Sequence, residues 1–281
     1  MTLSVIVTTY EWPEALDVVL RSLSMQSDQD FEIVVADDGS GTLTEATVNR
    51  WKLEFGERLV HVWQADDGYR LARVRNLGAA AARGNHLVFI DGDCIPRRHF
   101  VAAIRRAQLP GWFLAGKRVQ LGPILSRRFV ARRSNVARWS IGDLLLRMRG
   151  GLRPLVHLTP RDRRRPWRPE LPDFVPEGNA YGFLMSVSRS DFECVDGFDN
   201  RFVGWGEQDV DLALRLKRLG LRCSYAGPRA TMLHLWHAEH ADPVRRTWWQ
   251  LQETVESDRV EALEGLTTMD DALSRRTPDN R

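Results

Sequence analysis

The chain has 281 residues, 43% hydrophobic and 27% charged, values of an ordinary folded protein that exclude long disorder. Its three cysteines, Cys94, Cys194 and Cys223, stand far apart without a Cys-x-x-Cys pair, which excludes the common zinc and dithiol patterns. The net charge of +3 conceals an asymmetry, because residues 117–168 hold 15 Arg and Lys against two acidic residues while the remainder is acidic; such a block attracts polyanions.

This length suits one large α/β domain with an appended tail. The opening MTLSVIVTTY has no basic stretch leading into a long apolar run, and no later window is apolar throughout over a membrane-spanning length. The expectation is a cytoplasmic protein.

Residues 3–8, LSVIVT, form a β-branched run of the kind buried on both faces of a sheet. After Trp12-Pro13, the residues Ala15, Leu16, Val19, Leu20 and Leu23 recur at helical spacing. FEIVVA at 31–36 reads as a second strand ended by the Asp37-Asp38-Gly39-Ser40 turn. Together they make a βαβ unit, whose strands should be parallel.

LVHVW at 59–63 reads as a strand, and residues 70–83 as an alanine-rich helix closed by Gly84. HLVFI at 86–90 then runs straight into Asp91-Gly92-Asp93. Two acidic residues thus stand at the carboxyl end of a central strand, where open α/β sheets bind ligands. From 117 on, prolines and arginines predict a basic insertion or lid over 117–176, with helix at about 126–149 and a mobile loop at about 153–176. GFLMSVS at 182–188 predicts a strand, 207–219 a helix stopping at Gly220, and CSYAG and ATMLHLWH two short strands. The division predicted is a catalytic domain over 1–240, with nucleotide binding in residues 1–116 and acceptor binding in residues 177–240, and a helical tail over 241–281 that frays toward its end.

Acidic residues and glycine are common in turns after strands, and that alone can account for Asp91-Gly92-Asp93. The functional alternative is ligation of Mg²⁺ or Mn²⁺ beside phosphate oxygens, since carboxylates are hard donors. Residues 204–211, Gly-Trp-Gly-Glu-Gln-Asp-Val-Asp, bring three carboxylates to a helix entry. They can simply complement the helix dipole, or one can act as general base, with the flanking carboxylates raising its pKa. His234 and His237 in HLWH are candidate third metal ligands, with His234 favoured.

In this order VIVTTY, VVADDGS, GYRLARVRNLGAAAARGNHLVFIDGDCIP, GFDNRFVGWGEQDVDLALRLKRLG and HLWH resemble glycosyltransferase family 2 with the GT-A fold. The likeness is nearest to bacterial chondroitin polymerase catalytic domains and galactosyltransferase-like proteins, over roughly 2–125 and 176–240. The resemblance implies a Rossmann-like α/β domain, a mostly parallel sheet flanked by helices, and inverting transfer of a hexose or N-acetylhexosamine from a UDP-sugar. The acceptor it implies is a glycan or glycolipid hydroxyl in bacterial surface polysaccharide or lipopolysaccharide synthesis.

By motif, Thr8 and Tyr10 border the nucleotide and Asp38 accepts from the uracil. Arg75 and Asn76 line the nucleotide and ribose, and Asp91 stands near ribose and metal. Asp93 is the main ligand of a Mn²⁺ (or Mg²⁺), with His234, His237 and Asp91 as further ligands. Asp209 is the base, with Glu207 as second candidate, and Trp205, Gln208 and Asp211 face the acceptor. Where the family reads Trp-Gly-Gly-Glu-Asp, this chain reads Trp205-Gly206-Glu207-Gln208-Asp209. The aspartate keeps its distance from the tryptophan, while glutamine replaces the glutamate that helps hold the acceptor sugar.

A charge run is commonly a solvated face, yet the apolar residues among the arginines at 126–149 suit a surface helix on an anionic inner membrane. That would place the protein peripherally on the cytoplasmic face. The competing readings are a nucleic-acid binder using the Arg-rich segment, which leaves the aspartate pair, the 205–209 turn and the histidines unexplained, a DNA-modifying glycosyltransferase, which would account for both sets of features, and an inactive family scaffold. A nicotinamide enzyme is disfavoured because no Gly-x-Gly-x-x-Gly follows the first strand.

Overall fold

The computed structural model describes residues 2–132, 183–238 and 247–269. The predicted lid loop at 153–176, and the predicted helix at 126–149 beyond Arg132, lie outside these residues.

A seven-stranded sheet runs in the order β3-β2-β1-β4-β8-β6-β9. Its strands are β1 (Leu3–Thr9), β2 (Phe31–Asp37), β3 (Leu59–Trp63), β4 (His86–Asp91), β6 (Trp112–Ala115), β8 (Leu184–Ser188) and β9 (Arg222–Tyr225). β1, β2, β3 and β4 are mutually parallel, as the βαβ pattern requires, whereas β8 runs antiparallel to β4 and to β6. This is the mostly parallel α/β architecture expected.

The β-branched runs divide their side chains between two cores. Leu3, Val5, Val7, Ile33, Val35, Val88 and Ile90 face one, and Ile6, Val34, Ala36, Leu87 and Phe89 face the other. Alternation sends successive side chains to opposite faces. Both faces are therefore apolar and need helical cover. On the first lie α1 (Pro13–Ser24), α2 (Thr42–Phe55), α4 (Phe100–Ala107) and, through Phe129, α5 (Pro123–Arg132). On the second lie α3 (Leu71–Ala81), α6 (Arg189–Cys194), α7 (Gln208–Arg218) and α8 (Trp248–Glu256).

A small second sheet, β5-β10-β7, sits at the end of β4. It is made of β5 (Cys94–Ile95), β10 (Met232–His234) and β7 (Arg118–Gln120). β10 pairs antiparallel with β5 and parallel with β7, so His234 lies opposite Cys94 and Met232 opposite Arg118.

Two boundaries differ from expectation. α3 stops at Ala81, with Ala82 extended, and Gly84 does not cap it. Gly84 instead packs on β1, where a Cβ would come within 2.4 Å of Ser4 Oγ, so its role is close approach. Of the segment expected as an appended tail, the described part, 247–269, joins the second core through Leu251, with Trp248, Val255, Val260 and Leu266 against it. It is part of the same folded body. Among the described residues, no helix is long and apolar enough to cross a membrane.

Candidate active site

The carboxyl ends of β1, β2 and β4 form one rim. Register places Thr8 beside Asp91 and Thr9 beside Asp37, and β4 ends in the turn that carries Asp93. Gly92 lets that turn fold tightly: its N–H donates to Thr8 O at 2.7 Å, and a Cβ there would meet the same oxygen at 2.5 Å. Any side chain at 92 would push the acidic pair away from β1.

Asp93 is held from the small sheet. Its Oδ2 lies 3.2 Å from His234 Nε2 and 3.3 Å from His237 Nε2. The Leu235 amide also donates to Asp93 O at 3.0 Å. Burial works against the Asp93 charge, but hydrogen bonds from both imidazoles outweigh it and hold the carboxyl well below the usual range. The same bond to Asp93 raises the His237 pKa against burial.

Asp93 Oδ1 and His234 Nδ1 are buried with no hydrogen-bond partner among the described residues. One carboxylate between two imidazoles, with orphaned donor atoms, is a set that fits a divalent first-row cation. Cys94 Sγ also comes within 4.8 Å of the Asp93 and His234 donors. Burial raises its thiol pKa well above the ordinary value, and the side chain packs into the first core. His237, with its Nε2 3.3 Å from Asp93 Oδ2, offers an alternative third donor.

The second half of the site is built on a buried cation. Arg75 of α3 is 1% exposed. Its Nη1 donates to Asp209 Oδ1 at 2.5 Å and its Nη2 to Asp91 Oδ1 at 3.0 Å, and the guanidinium stands 5.2 Å from the Phe198 ring centroid. One arginine thus ties the turn after β4 to the first turn of α7. Burial raises the Asp91 carboxyl, Arg75 opposes the rise, and neighbouring Asp93 adds to it.

The family model for glycosyl transferase family 2 matches residues 4–108, and that for the N-terminal domain of galactosyltransferase matches residues 172–240. Glycosyltransferase family 2 is the family that this chain resembles, across the first of these segments and through the relatives that follow. Among its relatives, validoxylamine A glucosyltransferase of Streptomyces hygroscopicus subsp. jinggangensis is 29% identical over 236 residues, 78% of this chain and 52% of that one. Chondroitin synthase of Pasteurella multocida is 28% identical over 235 residues, 76% of this chain and 23% of that one. The chain therefore spans about half, or less, of the length of these relatives. A mannosyltransferase from Pyrobaculum calidifontis, solved in complex with GDP-Man and Mn²⁺, matches with a TM-score of 0.57 at 20% identity. That match covers 91% of this chain and 64% of the other, and it shows a shared GT-A fold.

The other expected site residues fall into two groups. At the rim, Tyr10 is half exposed and donates its hydroxyl to Asp66 Oδ2 at 3.1 Å, while Thr8 is buried with its hydroxyl on Ile90 O. Asp38 accepts from Gln64 and, at 2.9 Å, from the Arg70 amide, so it anchors the start of α3, and burial raises its carboxyl pKa. Trp205 is 62% exposed beside the acidic turn. Gln208 is buried, its Oε1 unpaired among the described residues.

The second group points inward and corrects the expectation. Asn76, expected to line the nucleotide, is wholly buried; its amide donates to Phe198 O and Asn200 Oδ1 and accepts from the Phe198 N–H. It pins the 198–200 loop. Arg75 spends its guanidinium on the two aspartates beneath the site, where nucleotide contact was expected. Asp211, expected to face the acceptor, is fully buried in a pair with Arg215 and accepts from Thr254. Asp211 is therefore no second carboxylate beside Asp209. Two residues along a helix turn the side chain by about 200°, which sends one carboxylate to the site and the other to the core.

Glu207 is buried and adopts a left-handed backbone (φ 63°) between Gly206 and the first residue of α7. Non-glycine residues rarely take this conformation, so the turn holds Glu207 under strain. Two neighbours of the site went unread in the sequence. Arg118, on β7, reaches 3.9 Å from Asp91 Oδ2 and lies 4.8 Å over the Phe183 ring. Tyr69, 39% exposed, lies close enough to Asp91, Arg75 and Asp209 to feel their charges. Arg118 was merged into a basic block with nothing local to single it out.

Proposed function

We propose that the chain is a divalent-metal-dependent inverting transferase that moves a hexose or N-acetylhexosamine from a UDP-sugar to a hydroxyl of a glycan or glycolipid. The role we assign it is in bacterial surface polysaccharide or lipopolysaccharide synthesis. The observation that carries this reading is the separation of two carboxylate centres. Asp93 is clasped by two imidazoles, and Asp209 is held apart from it on Arg75.

Asp209 takes the proton of the acceptor hydroxyl. That oxygen attacks the anomeric carbon, the carbon–oxygen bond to the diphosphate breaks, and its electron pair leaves with the nucleoside diphosphate on the opposite face. Asp93, His234 and His237 would hold a Mn²⁺ or Mg²⁺, whose positive charge would offset the charge building on the leaving group. Arg118 adds fixed positive charge at the same rim. Thr8, Tyr10 and Asp38 border the nucleotide, and the exposed face of Trp205 offers a platform for the acceptor sugar with Gln208 and Glu207 behind it. The basic stretch at 117–168 supports docking on an anionic cytoplasmic membrane surface, where a lipid-linked acceptor is presented.

The test is calorimetric titration with UDP-, GDP- and dTDP-sugars, each with Mn²⁺ and with chelator. One UDP-hexose should bind only with metal. Asp93→Ala should abolish that binding, and Asp209→Asn should retain it while losing transfer. Metal-independent binding, or full turnover by both variants, would refute the proposal.

A further inference from the structure

Asp209 owes its place to contacts from a stretch of the chain beyond the family models, whose matches end at residue 240. Thr247, wholly buried at the start of α8, donates its hydroxyl to Gly206 O at 2.7 Å. Two turns later Thr254, also wholly buried, donates to Asp211 Oδ1 at 2.7 Å. The other Asp211 oxygen accepts from Arg215 at 3.0 and 2.6 Å. Arg259 closes the group, bonded to the Thr254 hydroxyl and 3.7 Å from Asp211.

The acidic turn is thus held three residues before Asp209 and two residues after it, both times by one helix. It needs such support. Gly204 and Gly206 have positive φ, Glu207 is left-handed, and no side chain caps the start of α7. Local propensity does not select this conformation, so the position of Asp209 depends on what packs against it.

We infer that α8 is a positioning element for the base: Thr247 and Thr254 fix the turn so that Asp209 meets the acceptor hydroxyl. The inference rests on the transfer reading above, with Asp209 as base. Misplacement of a reacting group by about 1 Å can cost on the order of 10²-fold in rate. Loss of the two hydroxyls should therefore lower kcat and leave the donor side, built on β1, β2 and β4, untouched.

The experiment compares Thr247→Val, Thr254→Val and the double variant with Thr→Ser at each position. The readouts are UDP release from the UDP-hexose, with water as acceptor, and calorimetric binding of UDP with Mn²⁺. The double variant should lose about 10- to 100-fold in kcat with KM for the donor and UDP affinity within about twofold, and serine should restore the rate. If the double variant does not fold, each single variant removes one hold and gives the same comparison. Wild-type kcat in a folded valine variant, with only the melting temperature lowered, would make α8 a structural support and overturn the inference. Asp209→Asn separates the two claims: if it keeps full turnover, the assignment of the base fails, whereas its loss beside active valine variants defeats only the role of α8.

Discussion

Arg75→Met removes the cation shared by Asp91 and Asp209 and leaves two carboxylates facing each other with a thioether between them. At about 3 Å and an effective dielectric of about 20, each pair attracts by about 5 kcal/mol before desolvation is subtracted. Burial of the guanidinium, 1% exposed, consumes much of that gain. Breaking such a pair from one side nevertheless strands charge and costs about 3–5 kcal/mol. Methionine keeps the apolar stem of the side chain, so little of the loss should come from a cavity. Urea unfolding at neutral pH should show this loss at unchanged slope. Adding Asp91→Asn and Asp209→Asn should return at least about 2 kcal/mol, because amides leave no unpaired charge. An Arg75→Met protein within about 1 kcal/mol of the parent, or a triple variant no more stable than the single, would refute the reasoning.

Two further outcomes concern a buried histidine and a strained turn. Burial lowers the His86 pKa from 6.5 to about 4, so between these values the unfolded chain takes up a proton that the native one refuses. Stability is full above pH 6.5 and falls as pH drops toward 4, by about 3 kcal/mol in all. His86→Gln, which can still bond Ser186, should flatten that segment of the pH–stability curve, and identical acid slopes would contradict it. Glu207→Gly removes a left-handed seat that costs an L-residue roughly 1–2 kcal/mol and adds about 0.5–1 kcal/mol of unfolded-state entropy. Its melting temperature should hold or rise while UDP release falls; a stability loss above about 2 kcal/mol would show that the strain is not there.

The central strands, the parallel βαβ unit and the acidic pair at the end of β4 were legible in the sequence, because period-two burial and the end of an apolar run are local signals. α2 was equally open to reading. Thr44, Thr47, Val48, Trp51 and Phe55 recur at helical spacing and are its buried face, but polar residues in that stripe obscure it. The orientation of Asp211 was available from helical periodicity too, once Asp209 was given to the site.

Other features depend on pairings between distant segments. Parallel pairing of β10 with β7, and its antiparallel pairing with β5, bring His234 and Arg118 to the turn after β4. Arg75 meets Asp209 across 134 positions of chain. Thr254 meets Asp211 only because α8 packs on α7. By itself, then, the amino-acid order determined the strands, their burial on both faces and the carboxylates at their ends, since each follows from the preferences of neighbouring residues. Only the tertiary structure decided which carboxylate is clasped by histidine and which are paired with arginine, because burial and charge pairing are properties of the packed whole.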